Sequence, residues 1–188
     1  MCFTRLCLDF GVTMANILIV YSTVDGHTHS ISKHLGESLL TCGDQIRLAS
    51  VDEMPATALD EYDKVIVGAS IRYGNYRPAL VSFVKQRADL LNSKPSSFFT
   101  VNLVARKPGR DTPESNPYIK KLLRQTPWRP TEVAVFAGKL DYRRYRFLDR
   151  WIIRFIMLAT GGPTDPATVQ DFTNWRKVEA FATRIHNL

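Results

Sequence analysis

Apolar residues in this chain come in short unbroken runs, separated by polar loops and by stretches in which they recur every three or four positions. Asn16 to Tyr21 is one such run ending in Ser-Thr, and Thr28 to Cys42 then places Ile31, Leu35 and Leu39 four apart before Gly43. That pattern predicts strand, loop and helix in succession. Gln45 to Ala49 predicts a weaker second strand, Lys64 to Ala69 (KVIVGA) a third, Phe98 to Val104 a fourth and Glu132 to Phe136 a fifth. Between them, Pro78 opens a predicted helix through Leu91 with Leu80, Val84, Ala88 and Leu91 on one side, and Ser115 to Gln125 predicts a shorter one. A closing helix is predicted from Pro166, behind Asp165, carrying Val169, Phe172, Phe181 and Ile185. Five short apolar strands alternating with helices predict a parallel sheet covered on both faces, the doubly wound α/β architecture.

A length of 188 residues with 45% hydrophobic content suits one domain with a real core. Met1 to Thr13 has a single Arg and no sustained apolar stretch, so it fails as a secretory signal, and Met14-Ala15 reads as a natural second start. The expectation is a disordered extension over 1–13 and one domain over 14–188. Cys2, Cys7 and Cys42 lack metal-ligand spacing, and their odd number argues against a disulfide framework, so a reduced compartment and no metal site are expected. Arg154 interrupts the best apolar run, Trp151 to Ala159, so no segment is expected to span a bilayer. The net charge of +7 is concentrated: residues 105–158 hold thirteen Lys and Arg against five Asp and Glu. A near-neutral body with one basic segment suggests a local anionic partner, such as membrane lipid, nucleic acid or an acidic substrate.

In a doubly wound sheet the ligand sits beyond the carboxyl ends of the strands, at the switch point. The first loop there reads Ser22-Thr23-Val24-Asp25-Gly26-His27-Thr28. A helix N-terminus offers unpaired N–H groups and partial positive charge, hydroxyls add donors, and Gly26 lets the backbone turn close to a ligand. The chain has neither G-x-x-x-x-G-K-[ST] nor G-x-G-x-x-G, which leaves a loop suited to one terminal phosphate. The same residue types are also ordinary helix caps. The second loop, Ala69-Ser70-Ile71-Arg72-Tyr73-Gly74-Asn75-Tyr76, supplies two tyrosines, either of which could stack on a flat apolar ring or simply cover the sheet end. The third, Asn102 to Arg106, has a weak polar signal. No His–Asp, Cys–His or paired-carboxylate constellation asks for a separate acid-base centre, and His27 and His29 read as phosphate-loop and helix-surface residues.

Residues 139–159 are predicted as one amphipathic helix. At 100° per residue, Lys139, Arg143, Arg146, Arg150 and Arg154 fall on a stripe about 80° wide. The opposite arc carries Tyr142, Tyr145, Leu148, Trp151, Ile152, Ile153, Phe155, Ile156 and Leu158, more apolar surface than one sheet face requires. Such a helix suits an anionic lipid interface, and equally a sheet cover with solvated arginines. The aromatics are not interleaved with the arginines and no RNP-like or helix-turn-helix pattern is present, which argues against nucleic acid.

Three segments together, STVDGHT, VIVGASIRYG and VNLVARKP, resemble the flavodoxin superfamily, and within it the bacterial quinone-dependent protoporphyrinogen oxidase family of haem biosynthesis. The resemblance continues through Trp128-Arg129-Pro130, Ala137 to Tyr142 and Thr160 to Asp165, covering essentially Met14 to Leu188. It implies a flavodoxin-like five-stranded parallel sheet in the order 2-1-3-4-5, with 139–162 as a long-chain insertion. It also implies non-covalent FMN held by Ser22, Thr23, Val24, Asp25, Gly26, His27 and Thr28, by Ala69, Ser70, Ile71, Arg72, Tyr73 and Gly74, and by Asn102, Leu103, Val104 and Ala105. The substrate would be protoporphyrinogen IX and the acceptor a membrane quinone, met peripherally at the cytoplasmic face of the inner membrane. Arg106, Lys107, Arg143, Arg146, Arg150, Trp151 and Arg154 are the candidates for substrate and lipid, with Arg110 a further candidate for the substrate's propionates. Alternative functions on the same fold are an electron-carrier flavodoxin, which the basic charge disfavours, and an NAD(P)H:quinone reductase. A non-enzymatic membrane-binding module is the alternative from another class.

Overall fold

The computed structural model describes residues 14–54, 59–144, 147–159 and 161–188. The expected extension 1–13 lies outside the described residues, as do Tyr145 and Arg146. Five strands, β1 (Asn16–Ser22), β2 (Gln45–Ser50), β3 (Lys64–Ser70), β4 (Ser96–Asn102) and β5 (Glu132–Ala137), form one parallel sheet in the order β2-β1-β3-β4-β5. The helices are α1 (His27–Thr41), α2 (Pro78–Gln86), α3 (Ala88–Asn92), α4 (Pro117–Gln125), α5 (Phe147–Ala159) and α6 (Trp175–His186). A separate antiparallel pair, β6 (Lys139–Asp141) and β7 (Val169–Asp171), leads into and out of the segment that carries α5.

The sheet is buried on both faces, which is why β1 reads as an uninterrupted apolar run. Side chains alternate across a strand, so Ile17 and Ile19 enter one core with Ile31, Leu35 and Phe181. Leu18 and Val20 enter the other, with Leu80, Val84, Ile119 and Trp128. Gly68 of β3 is required by the packing between strands: a Cβ there would lie 2.2 Å from the Phe99 ring of β4. At the strand ends away from the loops, His186 Nδ1 lies 2.8 Å from Asp44 Oδ2, and Lys64 Nζ donates to the Ile185 and His186 carbonyls. This buried network fastens the end of α6 to the sheet.

Three elements differ from the sequence expectation. The predicted helix Pro78 to Leu91 is two helices, interrupted at Arg87 (φ −117°, ψ 15°), although Leu80, Val84, Ala88 and Leu91 are all buried as expected. The closing helix starts at Trp175, capped by Asn174, whose side chain accepts from the Lys177 N–H. The residues after Asp165 form a turn in which its carboxylate accepts from the Ala167 N–H at 2.9 Å, and Val169 belongs to a strand. Asp-Pro starts a turn as readily as a helix, and local pattern does not separate the two. The third difference is the basic segment, which is not one helix: Lys139 lies on β6, Arg143 on a single 3-10 turn (Tyr142–Arg144), and only Arg150 and Arg154 on α5. Leu140 and Tyr142 are fully buried between polar Lys139, Asp141 and Arg143, an alternation of period two that the helical wheel conceals.

Candidate functional site

The loops following β1, β3 and β4 converge on one cleft with a cavity of about 210 Å³. Thr23, Asp25, His27 and Thr28 line it from the first loop; Ser70, Ile71, Arg72, Tyr73 and Gly74 from the second; Asn102, Leu103 and Val104 from the third. The remaining wall is Val101, Tyr118 of α4, Gly138, Lys139, and Ile153 and Ile156 of α5. Twelve of the seventeen expected cofactor residues therefore come together. Ser22, Val24, Gly26, Ala69 and Ala105 do not line the cavity. Of these, Ala69 and Ala105 are buried, the Ala105 N–H donates to Asn102 Oδ1, and Val24 is exposed.

The first loop has the features a phosphate needs. Gly26 sits at φ +84° as the N-cap residue of α1, and its N–H donates to Thr23 Oγ1 at 3.0 Å. Ser22 Oγ, at the end of β1, and Thr28 Oγ1, in the first turn of α1, are buried and have no hydrogen-bond partner among the described residues. A buried hydroxyl without a partner costs about 1–3 kcal/mol, so that of Thr28, on the cavity wall at the helix N-terminus, matches a ligand that accepts hydrogen bonds. The His27 ring, on the cavity wall, is already engaged by the protein. Thr173 Oγ1 donates to the Ala137 carbonyl at 2.9 Å and therefore accepts from His27 Nε2 at 2.7 Å, with Asp171 3.6 Å away. Burial lowers the His27 pKa, Asp171 opposes this, and Lys139 reinforces it.

The second loop is a tight two-residue turn. Arg72 and Asn75 exchange N–H···O bonds of 2.9 and 3.0 Å around Tyr73 (φ +49°) and Gly74 (φ +74°), the left-handed pair of a type I′ turn. Arg72 Nη1 meets Asp25 Oδ2 at 2.7 Å, so this turn is tied to the first loop across the cleft. The structure separates the two tyrosines: Tyr76 is buried, donates to Thr100 Oγ1 and has its pKa raised by burial, whereas Tyr73 is 50% exposed at the cavity.

The family model for the flavodoxin domain matches residues 18–167. Over 171 residues the chain is 46% identical to Protoporphyrinogen IX dehydrogenase (quinone) of Escherichia coli strain K12, spanning 91% of this chain and 94% of that one. It is 44% identical over 168 residues to the protein of the same name from Leishmania major, spanning 88% and 72%. The chain belongs to the flavodoxin domain family. Solved flavodoxins agree with this family's fold: that of Streptococcus pneumoniae TIGR4 has a TM-score of 0.54 at 16% identity, covering 91% of this chain and 97% of its own. One from the domain Archaea has a TM-score of 0.52 at 12% identity, covering 92% and 96%. At such identities the likeness speaks for the fold alone.

Within this flavodoxin-domain protein, the basic residues expected at substrate or lipid are scattered. Arg106 turns inward, donating to the Leu103 carbonyl at 2.9 Å and packing so closely on Gly162 that a Cβ there would lie 2.9 Å from its guanidinium. Arg143 pairs with Asp141 at 3.6 Å, and Arg154 lies over the Trp151 ring. Lys107, Arg143, Arg150, Trp151 and Arg154 do not line the cavity, and Arg146 lies outside the described residues. The sequence reading missed Tyr118, Gly138, Ile153 and Ile156 as site residues. They come from α4, the β5–β6 link and α5, and nothing in their local pattern connects them to the first three loops. No group of His, Cys, Asp and Glu among the described residues could hold a metal.

Proposed function

We infer that this protein binds FMN in the cleft and oxidises protoporphyrinogen IX to protoporphyrin IX with a quinone as electron acceptor, as its relatives' names describe. The observation that carries the reading is the buried, unpartnered hydroxyl of Thr28, on the cavity wall in the first turn of α1, in a chain of this family. Backbone N–H groups of the first turn, with the hydroxyls of Ser22, Thr23 and Thr28, would hold the phosphate without a cation. The Tyr73-Gly74 turn would offer its aromatic face to the flavin ring, and Asn102, Leu103 and Val104 would border it. Bound FMN supplies the two-electron redox chemistry. The protein's own part is binding, orientation and exclusion of water, for which Ile153 and Ile156 form an apolar wall beside the cavity.

The acceptor is a lipid-soluble quinone, and the chain meets it peripherally, at an anionic lipid surface on the cytoplasmic side. What supports this is the outward face of α5, where Phe147 is 72% exposed, Trp151 56%, Phe155 71% and Leu158 70%. No helix among the described residues is long and apolar enough to cross a membrane.

The test is anaerobic: FMN-reconstituted protein is given protoporphyrinogen IX and a soluble quinone, and porphyrin fluorescence is followed. Quinone-dependent porphyrin formation, abolished in a Thr23→Ala/Thr28→Ala variant that no longer retains FMN, is expected. NADPH-driven quinone reduction without porphyrin formation would replace this reading with a quinone reductase.

A further inference from the structure

Among the described residues, four acidic or basic side chains line the cavity, Asp25, His27, Arg72 and Lys139, beside the phenols of Tyr73 and Tyr118. Three are engaged within the protein, Arg72 with Asp25 at 2.7 Å and His27 with Thr173 at 2.7 Å. Lys139 is exposed and forms no ion pair within 4.0 Å among the described residues. Asp171, its partner across the β6–β7 pair, instead sits 3.6 Å from His27 and accepts from the Thr173 N–H at 2.9 Å. Among the described lining residues, Lys139 is thus the cation without an ion pair.

Its position points to the class of group it recognises. The unpartnered hydroxyls lie at the end of β1, whereas Lys139 follows β5, and β3 and β4 stand between those strands in the sheet. Three strand spacings of about 4.8 Å separate the ends of β1 and β5, while the His27 ring reaches across to the side of Lys139 and feels its charge. The phosphate end has its own neutral donors, so the lysine is not required there. The same cavity is lined by apolar Ile153 and Ile156 from α5 and by Leu103 and Val104 from the third loop. An apolar wall with a single cation at its edge suits a large apolar ligand bearing a carboxylate on a short flexible arm. Other basic residues in this region fit less well: Arg106 turns onto a carbonyl, Arg143 is paired, and Lys107, Arg110 and Arg154 do not line the cavity.

We propose that Lys139 is the specificity-determining residue that receives a carboxylate of the substrate, a reading that rests on the proposed function and assigns one propionate arm of the porphyrinogen to this lysine. A lysine acts here as a point charge on a long stem, so the contact tolerates movement of a macrocycle sliding beside α5.

FMN-loaded protein is titrated with protoporphyrin IX and, in the same detergent, with its dimethyl ester, using fluorescence. Lys139→Gln is expected to weaken the diacid about tenfold while leaving the diester unchanged, the loss typical of one charge-assisted contact. Lys139→Glu weakens the diacid further and Lys139→Arg retains it. Turnover of Lys139→Gln shows a raised KM at unchanged kcat, and the FMN dissociation constant is the same in all variants. Equal loss for diacid and diester, no loss for either, or weakened FMN binding would overturn the assignment. Absence of quinone-dependent porphyrin formation in the unsubstituted protein would overturn the proposed function instead, so the two failures are separate.

Discussion

Tyr73 pays for its place at the cleft in backbone strain, because a non-glycine residue at φ +49° crowds its Cβ against the chain. The strain is held by the paired Arg72–Asn75 hydrogen bonds, by Lys121 on the Asn75 side chain at 2.6 Å, and by the Arg72–Asp25 ion pair. That ion pair has a second consequence. Asp25 lies in the loop proposed to hold a phosphate dianion, and Arg72 neutralises it. Arg72→Met is therefore expected to weaken FMN binding about tenfold by leaving a carboxylate near the phosphate, and adding Asp25→Asn to recover most of the loss. Titration of flavin fluorescence measures both. A double variant as weak as Arg72→Met would mean that Arg72 acts on the cofactor directly rather than through Asp25.

Elements meet at His27, the first residue of α1, whose ring reaches Thr173 just beyond β7 and through it the end of β5. Burial holds the imidazole neutral by lowering its pKa below the ordinary 6.5. A folded pKa below the unfolded one means that the unfolded chain binds more protons as pH falls through 6.5. Stability from this residue is therefore present above that pH, declines through the window down to the folded pKa, and stays level below it. Comparing melting temperatures of the cofactor-free chain at about pH 8 and about pH 5.5 should give a smaller difference for His27→Gln than for the unsubstituted protein. Identical differences would remove His27 from the acid sensitivity. Element boundaries also explain how the basic stripe misled: β6, the 3-10 turn and α5 follow one another so that their cations fit a single helical wheel, while buried Leu140 sits on a strand and buried Tyr142 on the turn after it.

For the whole molecule, the notable feature is the orientation of α5. Ile153 and Met157 are buried against the domain, half-buried Arg150 and Arg154 flank them, and the large apolar side chains face outward. This inverts the usual arrangement of a surface helix. If the outward face enters a lipid interface, Trp151→Asp/Phe155→Asp should lower partitioning onto anionic vesicles by about a hundredfold, since each large apolar side chain contributes about 1.5–3 kcal/mol. Cosedimentation measures this, with FMN binding as the control for folding. Unchanged sedimentation would reject the lipid role. Aspartates at these exposed positions disturb packing less than charge reversal at Arg150, whose Nε is buried.

The parallel sheet and the three loops at the carboxyl ends of its strands were legible in the residue pattern, and the strand order was implied by the resemblance to the flavodoxin superfamily. A strand buried on both faces must be an apolar run, and the hydroxyl-rich loop between β1 and α1 is local chemistry. Twelve of the expected cofactor residues meet in the cavity for that reason. Only the tertiary structure decided that Tyr73 rather than Tyr76 faces the cleft, that the His27 ring is engaged by Thr173, and that Asp25 is neutralised by Arg72, 47 residues away. It also placed Tyr118, Lys139, Ile153 and Ile156 on the cavity wall. Those contacts join residues far apart in the chain, and no periodicity or motif encodes them: they follow from how helices and hairpins pack around the sheet once its two cores have formed.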